Sequence, residues 1–296
     1  MEELNKCTLC PFECKVNRNN GELGRCKVGN NIKIGLHSLY FDEEPCISGK
    51  EGSGAIFFSN CNLKCKYCQN YKISAEGKGK EISIEELSNI FIEEQEKGAN
   101  NINLITAVPY VLHIIEAIKL ARKKGLHIPI VYNTSGYESI KTLKILEGYI
   151  DIYLPDFKYY DNDLAFRLSK VNNYREVTQK AILEMYRQVG KNEYDDRGIL
   201  KKGMIIRHLV LPNNIQNSKN VLKWIKENLP EDIMVSLMAQ YFPTYKAKED
   251  EMINRKLTKK EYEEVENYLF DLDIENGYVQ DLDDTEEQEA SYVPKF

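Results

Sequence analysis

The feature that most restricts the fold is an alternation of strand-like and helix-like segments running from about residue 50 to residue 270. Ala55–Phe58 is a short apolar run, and strand-like runs recur at Ile102–Thr106, Ile128–Asn133, Asp151–Leu154, Met204–Val210 and Met234–Leu237. Helical patterns separate them. Ser83-Ile84-Glu85-Glu86 reads as a capping box, after which Ile84, Leu87, Ile90 and Phe91 recur at helical spacing. Tyr110–Lys124, Ser139–Glu147, Tyr174–Gln188 and Ser218–Asn228 follow, and Lys259–Phe270 closes the series. Six strand–helix units in succession predict parallel strands joined by right-handed crossovers. Eight would close a full barrel. Six therefore predict a partial (β/α)6 barrel of TIM type within the α/β class, although a doubly wound sheet satisfies the same periodicity. In both architectures ligands gather at the C-terminal ends of the strands.

The eight cysteines all lie within the first 68 residues: Cys7, Cys10, Cys14, Cys26, Cys46, Cys61, Cys65 and Cys68. A disulfide framework would spread through the fold and suit a secreted chain, so thiols this concentrated read as metal ligands. The last three have the spacing C-x3-C-x2-C and directly follow the first strand. Three thiolates there can wrap one face of an iron–sulfur cubane and leave one iron free of protein ligands, whereas electron-carrying clusters usually have four cysteines. A structural zinc site would need a fourth ligand, and none follows in the loop. The bland alternative is a zinc knuckle completed from elsewhere in the chain.

Composition narrows the class further. The 296 residues are 42% hydrophobic, enough for a sizeable core. There is no apolar run long enough for a transmembrane helix, and Met-Glu-Glu-Leu-Asn-Lys does not begin a signal peptide. A cytoplasmic protein without membrane association is expected. The net charge of −6 comes largely from Asp281, Asp283, Asp284, Glu286, Glu287 and Glu289. The remainder is near neutral, which gives no basic excess to attract nucleic acid.

The loop Ser59-Asn60-Cys61 through Cys68-Gln69-Asn70 resembles the signature of the radical S-adenosylmethionine (radical SAM) superfamily. The flanking segments Cys7–Arg18, Glu43–Gly54, Val131–Tyr137, Asp151–Lys158, Ile206–Pro212 and Leu237–Pro243 are most similar to pyruvate formate-lyase activating enzyme relatives of the PflX-like branch. The resemblance implies a partial barrel of the radical SAM type and a [4Fe-4S] cluster on Cys61, Cys65 and Cys68. It implies reductive cleavage of S-adenosyl-L-methionine to a 5′-deoxyadenosyl radical that abstracts hydrogen from a substrate. It also implies an electron donor such as flavodoxin or ferredoxin. Carried over by position, Tyr67 would lie near the adenine, Asn133 and Ser135 near the ribose and methionine, and Asp156 with Lys158 would help to hold the cofactor. Arg207 offers a planar donor fork to the methionyl carboxylate, while its neighbour His208 points the other way. The chain departs from the pattern after its second strand, where Leu104–Tyr110 contains no Gly-Gly-Glu for the methionyl amino group. Thr106 or backbone carbonyls would take that role.

Cys7, Cys10, Cys14 and Cys26 enclose a stretch too polar to form a core by itself, so a metal would staple a small N-terminal Cys-rich segment. Four thiolates suit a second [4Fe-4S] cluster or Zn2+. Cys46 reads as a buried, inert thiol, with a substrate-facing thiol or substitute ligand as the alternative. The expected organisation is a metal-binding segment at 1–50, a barrel at 51–275 and an acidic tail at 276–296. The tail would be solvated, or else Tyr278, Tyr292, Val293 and Phe296 would fold it across the open side of the barrel. A protein or peptide substrate is expected, with a small metabolite as the alternative. A non-catalytic iron–sulfur or zinc protein for electron transfer or regulation is the reading from a different class.

Overall fold

The computed structural model describes residues 2–282. In chain order its strands and helices are β1 (Ile32–Tyr40), α1 (Pro45–Ser48), β2 (Ser53–Phe58), α2 (Tyr71–Ser74), β3 (Lys80–Ile82), α3 (Ile84–Glu96), β4 (Ile102–Ile105), α4 (Val111–Lys123), β5 (Ile130–Thr134) and α5 (Ile140–Leu146). They continue with β6 (Ile152–Pro155), α6 (Asn162–Ser169), α7 (Tyr174–Val189), β7 (Glu193–Tyr194), β8 (Leu200–Leu209), α8 (Ile215–Asn228), β9 (Met234–Met238), α9 (Lys259–Asp271) and β10 (Gly277–Val279). Capping boxes begin α3 at Ser83 and α9 at Thr258; in each the Glu three residues on closes the reciprocal bond.

The strand order is β10-β9-β8-β6-β5-β4-β2-β1-β3, with β7 paired to β8. The six strands β2, β4, β5, β6, β8 and β9 are parallel and adjacent in sequence order. A doubly wound sheet would reverse its order at a switch point and carry helices on both faces. Here Ile56, Leu104, Tyr132, Tyr153, Ile206 and Val235 pack with the helical residues in one large core. The alternate positions Val131, Ile152, Leu154, Ile205 and Met234 form a separate cluster on the other face, with Cys46 and Ile47 of α1. The helices therefore lie on one face, and α1 plugs the concave face near the N-terminal ends of the strands. This is the partial (β/α)6 barrel.

The sheet also extends beyond the six expected units. β1 and β3 add antiparallel to one end, and β8 begins at Leu200 because its first residues form a hairpin with β7. At the other end β10 pairs in parallel with Val235–Leu237, so the sheet continues past Glu275 into the segment set aside as a tail. The pairings of β3 and β10 span long sequence distances, and all of these added strands are short or carry little local signature. Residues 283–296, including Tyr292, Val293 and Phe296, lie outside the described residues. Among the described residues no helix is long and apolar enough to cross a membrane.

Candidate active site

Beyond the end of β2 the chain turns at Asn60, in the left-handed region with φ 68°, and enters the cysteine loop. Backbone bonds from Lys64 to Ser169 and from Lys66 to Leu168 hold the loop against the end of α6. Lys66 and Arg167 share Asp250, at 2.6 and 2.7 Å. Ser169 Oγ donates to Cys65 Sγ at 3.0 Å, and Ser74 Oγ lies 3.0 Å from Cys68 Sγ. Burial, reinforced by the neighbouring sulfurs, pushes the Cys61 thiol up to about 12 and Cys68 to about 11; burial also raises Cys65. Three thiolates at such positions need a bound cation to persist. The donor set therefore fits a metal centre.

The loop borders a cavity of about 750 Å3 above the parallel strands. Every cofactor residue expected from the sequence lines it: Tyr67, Thr106, Asn133, Ser135, Asp156, Lys158 and Arg207. Lys158 Nζ donates to Asp156 Oδ2 at 2.6 Å. Burial opposes ionisation of Asp156, but Lys158 and Arg207 outweigh it and hold this carboxyl below its ordinary range. Tyr67 is buried and shares a hydrogen bond of 2.5 Å with the Tyr159 hydroxyl, which also meets Ser169 Oγ. At Gly136 φ is 75°, and a Cβ would press on the Asp156 carbonyl oxygen and come within 2.8 Å of Thr178 Cγ2. Only glycine lets these two strand ends converge.

Arg207 and His208 diverge as adjacent strand residues must. His208 faces the helices, bonding the Phe157 carbonyl and Ser218 Oγ. The Arg207 fork, expected to be open toward a ligand carboxylate, is instead filled by chain acceptors. Its Nε donates to Asp156 at 2.9 Å, Nη1 to Glu43 at 3.0 Å and Nη2 to Asn133.

Glu43 is the site residue that the sequence reading missed. It accepts from Asn103 at 3.0 Å and Asn133 at 3.2 Å as well as from Arg207. Burial raises it to about 7 despite the guanidinium. The available signal was the acid pair Glu43-Glu44 before Pro45, which carries no distinctive spacing. Cys46 is buried in the inner apolar cluster, as expected.

The four N-terminal cysteines converge on a small cavity of about 20 Å3, shared with Arg18 and Gly24. Left-handed turns at Glu13, Lys15 and Lys27 fold the segment around them. Arg18 is fully buried and donates to the carbonyls of Gly29 and Pro109. Arg25 stacks on Phe12 at 4.0 Å and donates to the Asn62 carbonyl at 3.1 Å, joining this segment to the other cysteine loop. Burial pushes Cys10 up to about 12. Among the described residues the donor trio drawn within 4.8 Å is His37, Glu93 and Glu94, where Lys97 already supplies a cation.

The model of the radical SAM superfamily matches residues 55–225. An uncharacterised protein of Methanocaldococcus jannaschii is 33% identical over 271 residues, 89% of this chain and 73% of that one. The pyruvate formate-lyase-activating enzyme of Clostridium pasteurianum is 26% identical over 80% of this chain and 97% of its own. Two solved structures share the fold. The protein anSMEcpe with bound AdoMet has a TM-score of 0.52 and 18% identity over 75% of this chain and 61% of its own. The FeFe-hydrogenase maturase HydG of Carboxydothermus hydrogenoformans has a TM-score of 0.53 and 12% identity over 79% of this chain and 54% of its own. The chain thus spans between half and two thirds of the length of these two structures.

Proposed function

The chain belongs to the radical SAM superfamily, and from that premise we propose that Cys61, Cys65 and Cys68 hold a [4Fe-4S] cluster beside bound S-adenosylmethionine. When bound, the pair supplies one electron to the sulfonium and a 5′-deoxyadenosyl radical for hydrogen abstraction. The observation that carries this reading is the convergence of the three-cysteine loop and the strand-end residues on one cavity. The residues bind and orient. Tyr67 would back the adenine, Asn133 and Ser135 would lie toward the ribose and methionine, and Thr106 and Lys158 would receive the polar ends of the methionine. Asp156 holds Lys158 in place. Arg207 cross-links Asp156, Asn133 and Glu43 and thereby fixes their positions.

A protein or peptide is the proposed substrate, supported by similarity to an activating enzyme over most of both chains. Flavodoxin or ferredoxin is the proposed source of single electrons. Cys7, Cys10, Cys14 and Cys26 are proposed to carry a second iron–sulfur cluster. A zinc ion on the same four thiolates is the alternative, and the metal content of the reconstituted protein separates the two.

The test is anaerobic reconstitution with iron and sulfide, then dithionite and S-adenosylmethionine. The wild type should form 5′-deoxyadenosine, and its reduced-cluster spectrum should change on cofactor addition. Alanine at Cys61, Cys65 or Cys68 should abolish both. Cleavage that survives any one of the three substitutions refutes the assignment.

A further inference from the structure

Five carboxylates line the cavity, Asp42, Glu43, Glu44, Asp156 and Asp281, against two cations, Lys158 and Arg207. The two cations are spent. Arg207 pairs with Glu43 and Asp156, and Lys158 pairs with Asp156. Glu44 is left over. It lines the cavity at 8% exposure, and its Oε2 is buried without a hydrogen-bond partner. An unpaired buried carboxylate is costly unless something donates to it. Asn103 Oδ1, beyond Glu43, and Asn70 Oδ1 and the Ser135 hydroxyl in the cavity lining are also buried without a partner, so Glu44 is the one charged group among these atoms of the cavity.

Glu43 and Glu44 lie on the inner side of the strand-end residues. Glu43 is held by Asn103, which pairs with Ala55, three residues before the end of β2. Glu43 also accepts from Asn133, the penultimate residue of β5, so the acid pair lies just inside the rim. Directly after Glu44, Cys46 and Ile47 pack into the apolar floor of the barrel. Glu44 thus stands between the floor and the strand-end residues, where a substrate would extend inward.

We infer that Glu44 is a specificity-determining anchor for a cationic nitrogen of the substrate, an ammonium or a guanidinium. This rests on the function proposed above and narrows it to substrates that carry such a group near the reacting carbon. The nitrogen belongs to a lysyl or arginyl side chain in a peptide, or to a free amine with the same chemistry. Its several N–H donors satisfy the orphaned acceptor, and its charge balances the surplus carboxylate.

The test uses the full-length, cluster-loaded protein with S-adenosylmethionine bound. The probes are capped alanine-rich pentapeptides with Lys, Arg, norleucine or Glu at the centre, together with cadaverine and agmatine. Isothermal titration gives each affinity, and 5′-deoxyadenosine formation gives stimulation over the probe-free rate of the same variant. Lysine or arginine peptides, or the two free amines, should bind at least tenfold more tightly than norleucine. Whether peptides or free amines bind better identifies the source of the nitrogen. Glu44→Gln should bring the preference to near unity, and Glu44→Asp should retain part of it. The inference is overturned if norleucine or Glu probes bind as well, if no probe binds, or if the preference survives in Glu44→Gln. It is also overturned if Glu44→Gln weakens S-adenosylmethionine binding while leaving probe preference intact, since Glu44 would then serve the cofactor. Failure of the wild type to cleave S-adenosylmethionine refutes the proposed function instead. The calorimetric preference is read without turnover, so the two failures are distinguishable.

Discussion

Replacing Arg207 by Met tests whether the polar layer inside the barrel is held by one guanidinium. The side chain is 14% exposed and meets Glu43 at 3.0 Å and Asp156 at 2.9 Å, themselves 7% and 15% exposed. Methionine approximates the volume but supplies no donors. Asp156 keeps Lys158, whereas Glu43 loses its counter-charge beside Glu44. Removing one partner of a buried pair costs about 3–5 kcal/mol, mostly from the charge left behind. At roughly 2 °C per kcal/mol for a chain of this size, Tm should fall by about 6–10 °C. The double variant Glu43→Gln, Arg207→Met removes the stranded charge and should regain at least about 1 kcal/mol over Arg207→Met alone. Anaerobic thermal denaturation of the metal-free protein measures all four corners of the cycle. If the double variant is as unstable as the sum of the singles, Glu43 and Arg207 are not coupled and the argument fails.

A Cys7→Ala, Cys10→Ala variant should lose its second metal yet keep the radical cluster, with wild-type analysis giving roughly eight irons per chain rather than four irons and one zinc. Unchanged metal content in the variant would remove the second site. Gly136→Ala forces a Cβ onto φ 75° and against Thr178, so it should cost about 1–3 kcal/mol and weaken S-adenosylmethionine binding, read by melting and calorimetry; wild-type values for both would refute the close approach. Glu138 is buried, accepts from Thr134 and Tyr132, and is raised by burial to about 8. The folded state therefore binds its proton more tightly than the unfolded state, so its stabilising contribution is full below about pH 4.5 and is lost as pH rises through 8. Glu138→Gln should flatten the fall in stability between pH 5 and 8, and an unchanged slope would exclude Glu138 as its source.

The strand–helix rhythm was legible because each barrel strand is buried on both faces and each helix has one apolar stripe, and both patterns are local. The spacing of Cys61, Cys65 and Cys68, on which the proposed cluster rests, was equally local, since a loop that holds a cluster must gather its thiolates within a few residues. The residues at the ends of β4, β5, β6 and β8 could be named because a parallel barrel delivers successive strand ends to one rim. The Glu43-Glu44 pair was not legible in this way. Nothing in Glu-Glu-Pro distinguishes an exposed acid pair from one inside a barrel. Only the return of β1 alongside β2, with α1 plugging the floor, buries Glu43 and Glu44. The same holds for Arg207, whose fork looked available for a ligand. Three acceptors from three different elements, Glu43, Asn133 and Asp156, fill it once the sheet has curled. The sequence by itself thus determined the elements, the rim and the three-cysteine loop, whose signals span a few residues. Charge balance in the cavity was decided only by the tertiary structure, because pairing and burial depend on groups up to 164 positions apart.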